Sequence, residues 1–207
     1  MRKLWSLGVQ ASLEEMVSVG AAIQFVLAER PMPAETYVIG STAVFRHVAD
    51  SGQRIVNGTE REDTAQLVVV AGHDELAYHE LRTAARAVTA GAEMLAAGRD
   101  RTFPTDGGIA PVTGAVVAAL EYATERTASI VGKPDPRIFH AALDRLGAGR
   151  TLVIGDRLDS DLAGAAAAGL DGAIVLSGNT SAEEARAAED PRPVAVAADL
   201  HTLVLGR

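Results

Sequence analysis

The chain has 207 residues, 48% of them hydrophobic, and a formal net charge of −8. A chain of this length can bury a sizeable core as one domain or as two small ones. Its negative charge argues against nucleic acid or an anionic membrane as a partner. Cysteine is absent, which excludes disulfides, thiol catalysis and cysteine-ligated zinc. No membrane span or signal peptide is visible, so we expect a cytoplasmic location.

The first 30 residues have helical periodicity. Ser12 and Glu15 form a capping-box pattern, and the apolar spacing alone predicts one helix from Leu13 to Glu29. Pro31 and Pro33 follow and mark a domain boundary.

Strands and helices alternate between residues 31 and 130, which predicts a small α/β unit there. Asp74 is predicted to begin one of its helices, and residues 97–113, rich in Gly and Pro, are predicted to be a loop. The predicted strands are Thr36–Ile39, Arg54–Val56, Leu67–Ala71 and Glu93–Ala96, and the last predicted helix is Thr113–Thr124.

A second alternation of strands and helices follows from residue 131. Asp135 and Pro136 suit a helix start, and the apolar positions after them repeat at helical spacing. The next elements are a strand at Thr151–Ile154, a helix at Leu158–Ala168 and a strand at Ala173–Leu176, which together make a βαβ unit. Ligands of open parallel sheets bind at the carboxyl ends of strands, where Asp156 lies.

Lys133, Asp156 and Asp161 are the candidate site residues in this part of the chain. Each one alone is common in turns and solvated loops. Together they suit a phosphate and a magnesium ion, because Mg²⁺ prefers carboxylate and phosphate oxygens and a lysine supplies a point charge for phosphate.

The stretches GKPDP and GDRLDSD resemble the last two motifs of the haloacid dehalogenase (HAD) phosphatase superfamily. The chain is most similar to its class IIA branch, the NagD-like and nitrophenylphosphatase-like enzymes with a large α/β cap. The similarity extends to YVIG, VVVAGHDELAYHEL, AGRDRTFPTDGG and VLSGNTSAEE. It implies that Lys133 and Asp161 are catalytic, with Asp161 the supporting acid, and that Asp156 binds Mg²⁺.

The chain departs from this family at its N-terminus. Family members begin with an Asp-x-Asp-Gly motif, whose first Asp is the nucleophile, and a Thr-Asn or Ser-Asn pair ends the second strand. Neither is present, because the one Asp-x-Asp is Asp159–Asp161. We therefore expect a chain that starts late and lacks the nucleophile.

The resemblance also implies a fold. We expect an α/β protein with a partial Rossmann-like HAD core (1–30 and 131–207) and an inserted C2-type cap (31–130). The core sheet would have the order 5-4-1-2-3 without strands 1 and 2, so Thr151–Ile154, strand 4, becomes an edge. Strand 3 would be Met16–Val19, followed by a helix at Ala21–Glu29, and we adopt this in place of the single helix.

In related enzymes the cap loop reaches over the active site and helps to select the substrate. Arg99, Asp100 and Arg101 are the substrate-binding candidates here, since an arginine can hold phosphate or carboxylate bidentately. The alternative is a solvated loop with an Arg–Asp pair of little energetic value. Caps of this kind also mediate dimers, so a homodimer is a further expectation.

The expected function is Mg²⁺-dependent hydrolysis of small phosphorylated metabolites through an aspartyl-phosphate. Because the nucleophile is missing, we expect the 207-residue chain itself to be inactive. The alternative is a non-catalytic paralogue or binding protein. The DNA upstream of the Met1 codon distinguishes the two, because an in-frame Asp-x-Asp-Gly there would establish the enzyme.

Overall fold

The structure of the protein, a computed structural model, describes residues 5–6, 8–12, 14–105 and 107–206. It divides into two compact units. The central unit is Ser18–Gly132, and the terminal unit combines Met1–Val17 with Lys133–Arg207. The predicted cap boundaries at 31 and 130 stay a prediction.

The central unit contains a five-stranded parallel sheet of order β2-β1-β3-β4-β7. A two-stranded antiparallel hairpin, β5–β6, follows β4 in the sequence. The elements are α1 (Val19–Ala28), β1 (Glu35–Ile39), α2 (Thr42–Asp50), β2 (Arg54–Ile55), a 3₁₀ turn (Glu62–Thr64), β3 (Leu67–Val70), α3 (Tyr78–Thr89), β4 (Glu93–Ala96), β5 (Thr102–Thr105), β6 (Gly108–Pro111), α4 (Thr113–Thr124) and β7 (Ser129–Ile130).

β1 and β3 form the middle of the central unit. Every residue of both strands is buried, and the four residues of β3 are all aliphatic. Strands of a parallel sheet covered on both faces have such continuous apolar runs. The core next to them includes Leu120 of α4 and Val88 of α3.

The terminal unit contains a three-stranded parallel sheet of order β10-β9-β8. In the described residues β8 is an edge strand, which confirms the expected edge position of strand 4. The elements are α5 (Arg137–Leu146), β8 (Leu152–Gly155), a π-helical turn (Leu158–Leu162), α6 (Ala163–Ala167), β9 (Asp171–Val175), α7 (Ala182–Ala187), β10 (Ala195–Ala197) and α8 (Leu200–Leu205).

The structure corrects three predictions of secondary structure. Met16–Val19 is not a strand, because Ser18 caps α1 and its hydroxyl accepts a hydrogen bond from the N–H of Ala21 at 3.2 Å. Asp74 does not begin a helix: α3 starts at Tyr78, where Glu80 accepts the N–H of Ala77 at 2.8 Å.

The third correction concerns residues 97–113, which contain the hairpin β5–β6. From the sequence, Pro104 speaks against a strand here, because proline has no N–H to donate to a neighbouring strand. A two-stranded hairpin has two edges, so a strand in it can include a residue without an N–H. None of the helices that the structure describes is long and apolar enough to cross a membrane.

Candidate functional site

The turn after β8 brings the two predicted acids together. Asp161 lies in the π-helical turn, and its Oδ2 accepts the backbone N–H groups of Asp156 and Arg157, both at 3.1 Å. The backbone at Gly155 passes so close that a Cβ there would lie 2.2 Å from the Cβ of Asp161. Glycine is therefore required where the strand ends.

Lys133 completes this cluster. Its Nζ lies 2.5 Å from Oδ1 of Asp161, whose side chain is only 9% exposed. A buried charge is tolerated when it is paired and hydrogen-bonded, and Asp161 has the ammonium and two N–H donors. The Lys133 side chain remains 45% exposed, so its ammonium can also meet a ligand from solvent.

Asp156 is held from the other side by the loop between β9 and α7. Its Oδ2 accepts the backbone N–H of Asn179 at 2.9 Å and the side-chain amide of Asn179 at 2.6 Å. Its carbonyl oxygen accepts the N–H of Thr180 at 3.0 Å and the Thr180 hydroxyl at 2.7 Å. The donors of Asn179, the backbone N–H first, lower the pKa of Asp156, so this carboxylate is ionised at neutral pH.

Asp156 fits a magnesium ion as a single carboxylate ligand. Both hydrogen bonds from Asn179 end on its Oδ2, which leaves Oδ1 for a cation, whereas both oxygens of Asp161 are used. Within those residues no three His, Asp or Glu side chains converge as a complete metal site. Mg²⁺ commonly takes only one or two carboxylates and completes its octahedron with water and substrate phosphate.

The three predicted cap-loop residues lie in the central unit. Arg99 forms two hydrogen bonds to Glu121, at 2.9 Å and 2.6 Å, which raise the pKa of Arg99 and lower that of Glu121. The carbonyl of Asp100 accepts the N–H of Gly114 at 3.0 Å, and the carbonyl of Arg101 accepts the N–H of Val112 at 3.2 Å. Their role in binding substrate stays a prediction.

The sequence reasoning assigned no role to Asn179 and Thr180. Both follow β9, the strand paired with β8, and carboxyl ends of neighbouring parallel strands meet at one edge of a sheet. Polar side chains there were a usable signal.

Comparisons with known proteins find several phosphatases that are similar to this chain. A family model described as HAD-hydrolase-like matches residues 130–203. A D-glycerol 3-phosphate phosphatase of Mycobacterium tuberculosis is 38% identical over 202 residues, which are 97% of this chain and 57% of that protein. A sugar phosphatase of Bacillus subtilis is 27% identical over 188 residues, 89% of this chain and 68% of that protein. The chain thus spans less than two thirds of the first relative's length.

Solved structures show the same similarity. A glycerol phosphate phosphatase from M. tuberculosis in complex with magnesium superposes with a TM-score of 0.91 at 36% identity, covering 98% of this chain and 61% of that one. The same phosphatase in complex with calcium gives a TM-score of 0.90 at 35% identity, over 98% of this chain and 60% of that one. A p-nitrophenyl phosphatase from Archaeoglobus fulgidus gives 0.85 at 28% identity, covering 100% and 80%.

Proposed function

Because the chain belongs to the HAD superfamily and matches its class IIA phosphatases, we propose that its terminal unit holds a phosphomonoester together with Mg²⁺. One observation carries the proposal. The ammonium of Lys133, on a partly exposed side chain paired with buried Asp161, and the ionised carboxylate of Asp156 converge at the carboxyl end of β8.

Each of these residues has a distinct part in the proposed site. Lys133 offsets the negative charge of a phosphoryl group as a point charge. Asp161 orients Lys133 and, through two N–H groups, the turn that carries Asp156. Asp156 offers Oδ1 to Mg²⁺, which when bound neutralises charge on phosphate oxygens.

We propose small phosphorylated metabolites, glycerol and sugar phosphates first, as the substrate class. The names of the similar proteins, a D-glycerol 3-phosphate phosphatase and a sugar phosphatase, support this class. The family's nucleophilic aspartate, which would accept the phosphoryl group, has no counterpart motif in these 207 residues. The chain by itself should therefore bind rather than turn over, since losing a nucleophile costs several orders of magnitude in kcat.

Binding and turnover can be tested on the 207-residue chain. We expect Mg²⁺-dependent binding of glycerol 3-phosphate, measured by ³¹P NMR. The dissociation constant for Mg²⁺ itself should be on the order of millimolar, because one carboxylate makes only part of an octahedral site. Lys133→Gln, which keeps a donor for Asp161 but removes the charge, should abolish phosphate-ester binding. Arg86→Gln is the matched control, because Arg86 pairs with Asp63 in the central unit.

Two outcomes would count against this proposal. One is phosphate-ester binding that survives Lys133→Gln and Asp156→Asn alike. The other is rapid hydrolysis of nitrophenyl phosphate that Asp156→Ala abolishes, which would require a nucleophile that we have not identified.

A non-catalytic protein that binds phosphate esters through the same Lys133 and Asp156 is the second candidate function. Such a protein would bind the phosphate ester in the same way but would not hydrolyse it, even when the chain is extended at its N-terminus. Turnover by a version extended through the upstream reading frame would exclude it.

A further inference from the structure

The exposed residue Asn179 contacts the carboxylate of Asp156. Both of its N–H donors, the backbone and the side-chain amide, end on the same oxygen of Asp156, Oδ2. The next residue, Thr180, is buried, and both its N–H and its hydroxyl donate to the carbonyl oxygen of Asp156. Asn179 thus acts on the carboxylate and Thr180 on the main chain.

Gly178 allows this loop to approach Asp156 closely. A Cβ at Gly178 would lie 2.2 Å from Oδ2 of Asp156 and 2.5 Å from its Cβ, so any other residue would displace the loop or the carboxylate. The close approach is what places the N–H and the amide of Asn179 within 2.9 Å of Oδ2. The loop is therefore shaped around this one side chain.

Two donors on one oxygen fix the orientation of a carboxylate. The torsion about Cβ–Cγ of an aspartate is broad and roughly two-fold, so without a partner either oxygen can face a ligand. With Oδ2 occupied by Asn179, Oδ1 is the oxygen left to face a cation. Groups that orient a metal ligand in this way influence affinity without touching the metal.

We propose that Asn179 is a positioning residue that holds Asp156 so that Oδ1 faces the cation. This inference rests on the proposed function, in which Asp156 binds Mg²⁺. It assigns to the β9–α7 loop a part in cation affinity that is separate from its part in folding.

The experiment is a titration of the full chain with Mn²⁺, a Mg²⁺ substitute whose free ion is measured by electron paramagnetic resonance, with Mg²⁺ as competitor. Asn179→Ala should weaken Mn²⁺ binding about tenfold, at the low end of effects seen for such partners, because its backbone N–H still reaches Oδ2. Its melting temperature should change little, since the side chain is exposed.

Two further variants separate positioning from folding. Thr180→Val should lower the melting temperature and weaken Mn²⁺ binding less than Asn179→Ala does, because it loses a bond to the main-chain carbonyl and keeps both donors of Asn179 on Oδ2. Asn57→Ala is the matched asparagine control: Asn57 bonds to both the N–H and the carbonyl of Val38, at 2.9 Å and 2.8 Å, in the central unit. It should leave the Mn²⁺ affinity unchanged.

The outcomes distinguish this inference from the proposed function. Unchanged affinity in Asn179→Ala, or an equal loss in Thr180→Val, would overturn the positioning role alone. Wild-type Mn²⁺ binding that is absent, or that Asp156→Asn does not weaken, would overturn both the metal site and the role of Asn179.

Discussion

The two parallel sheets of this protein contain strands of nearly the same composition in different positions. β3 (Leu67–Val70) has hydrogen-bonded neighbours on both sides and is buried throughout. β8 (Leu152–Gly155) has one neighbour in the described structure, and its Leu152 and Ile154 are 46% and 36% exposed. The number of neighbouring strands, rather than apolar composition, decides which of them lies in a core.

Hydrogen exchange should show the largest difference between the sheets. Amides of β3 should exchange slowly, at a rate set by unfolding of the central unit, while those of β8 should exchange orders of magnitude faster through local opening at the edge. Exchange followed by NMR on a dilute sample measures both. Equal protection of β3 and β8 in a monodisperse monomer would show that the terminal sheet is closed in a way the structure does not contain.

A matched pair of isoleucine substitutions sharpens the same comparison. Ile39→Ala in β1 should cost about 2–5 kcal/mol of unfolding free energy, because Ile39 is fully buried and leaves a cavity. Ile154→Ala in β8 should cost no more than about 1 kcal/mol, since solvent already reaches part of this side chain. Urea unfolding followed by amide signals of each unit measures the two. Similar costs would mean that β8 is as well packed as β1.

A charge on the open edge should change self-association more than stability. Exposed apolar edge strands pair with other chains, and lysine on an edge opposes this. Leu152→Lys should therefore reduce concentration-dependent association of the 207-residue chain in sedimentation velocity. Leu146→Lys, also an exposed leucine but on α5, is the control and should have less effect. A larger effect of Leu146→Lys than of Leu152→Lys would show that the chains associate through α5 instead of β8.

The smallest expected effect is a pH dependence in the central unit. The pKa of Glu121 in the folded chain lies below its unfolded value of about 4.5 because Arg99 donates to it. The pair therefore stabilises the unit above pH 4.5, and the contribution is lost as the pH falls through the lowered pKa. For a pair this exposed the loss should be about 0.2–1 kcal/mol. Arg99→Met should remove this component of acid sensitivity; an unchanged pH profile would show that the pair adds nothing.

Much of the fold and part of the site could be predicted from the sequence. The buried strands of both sheets show up as short aliphatic runs, because strands covered on both faces need no polar residues. Lys133, Asp156 and Asp161 could be placed together because loops after parallel strands meet at one edge.

The remaining features depend on contacts that single residues do not reveal. Ser18 and Glu80 determine where α1 and α3 begin, and several serines and acids nearby could have served equally well. Asn179 and Thr180 gain their role only from the pairing of β9 with β8. The hairpin at residues 102–111 contains Pro104 and Pro111, which in a sequence indicate a loop rather than strands.

The two glycines beside Asp156, Gly155 and Gly178, leave the gene room only for synonymous changes at their codons. Every missense change in a glycine codon adds a Cβ, whichever base is altered. At Gly155 that carbon would meet Asp161 at 2.2 Å, and at Gly178 it would meet Asp156 at 2.2 Å. Any amino-acid change at either glycine therefore disturbs Asp156 or Asp161 in a single step.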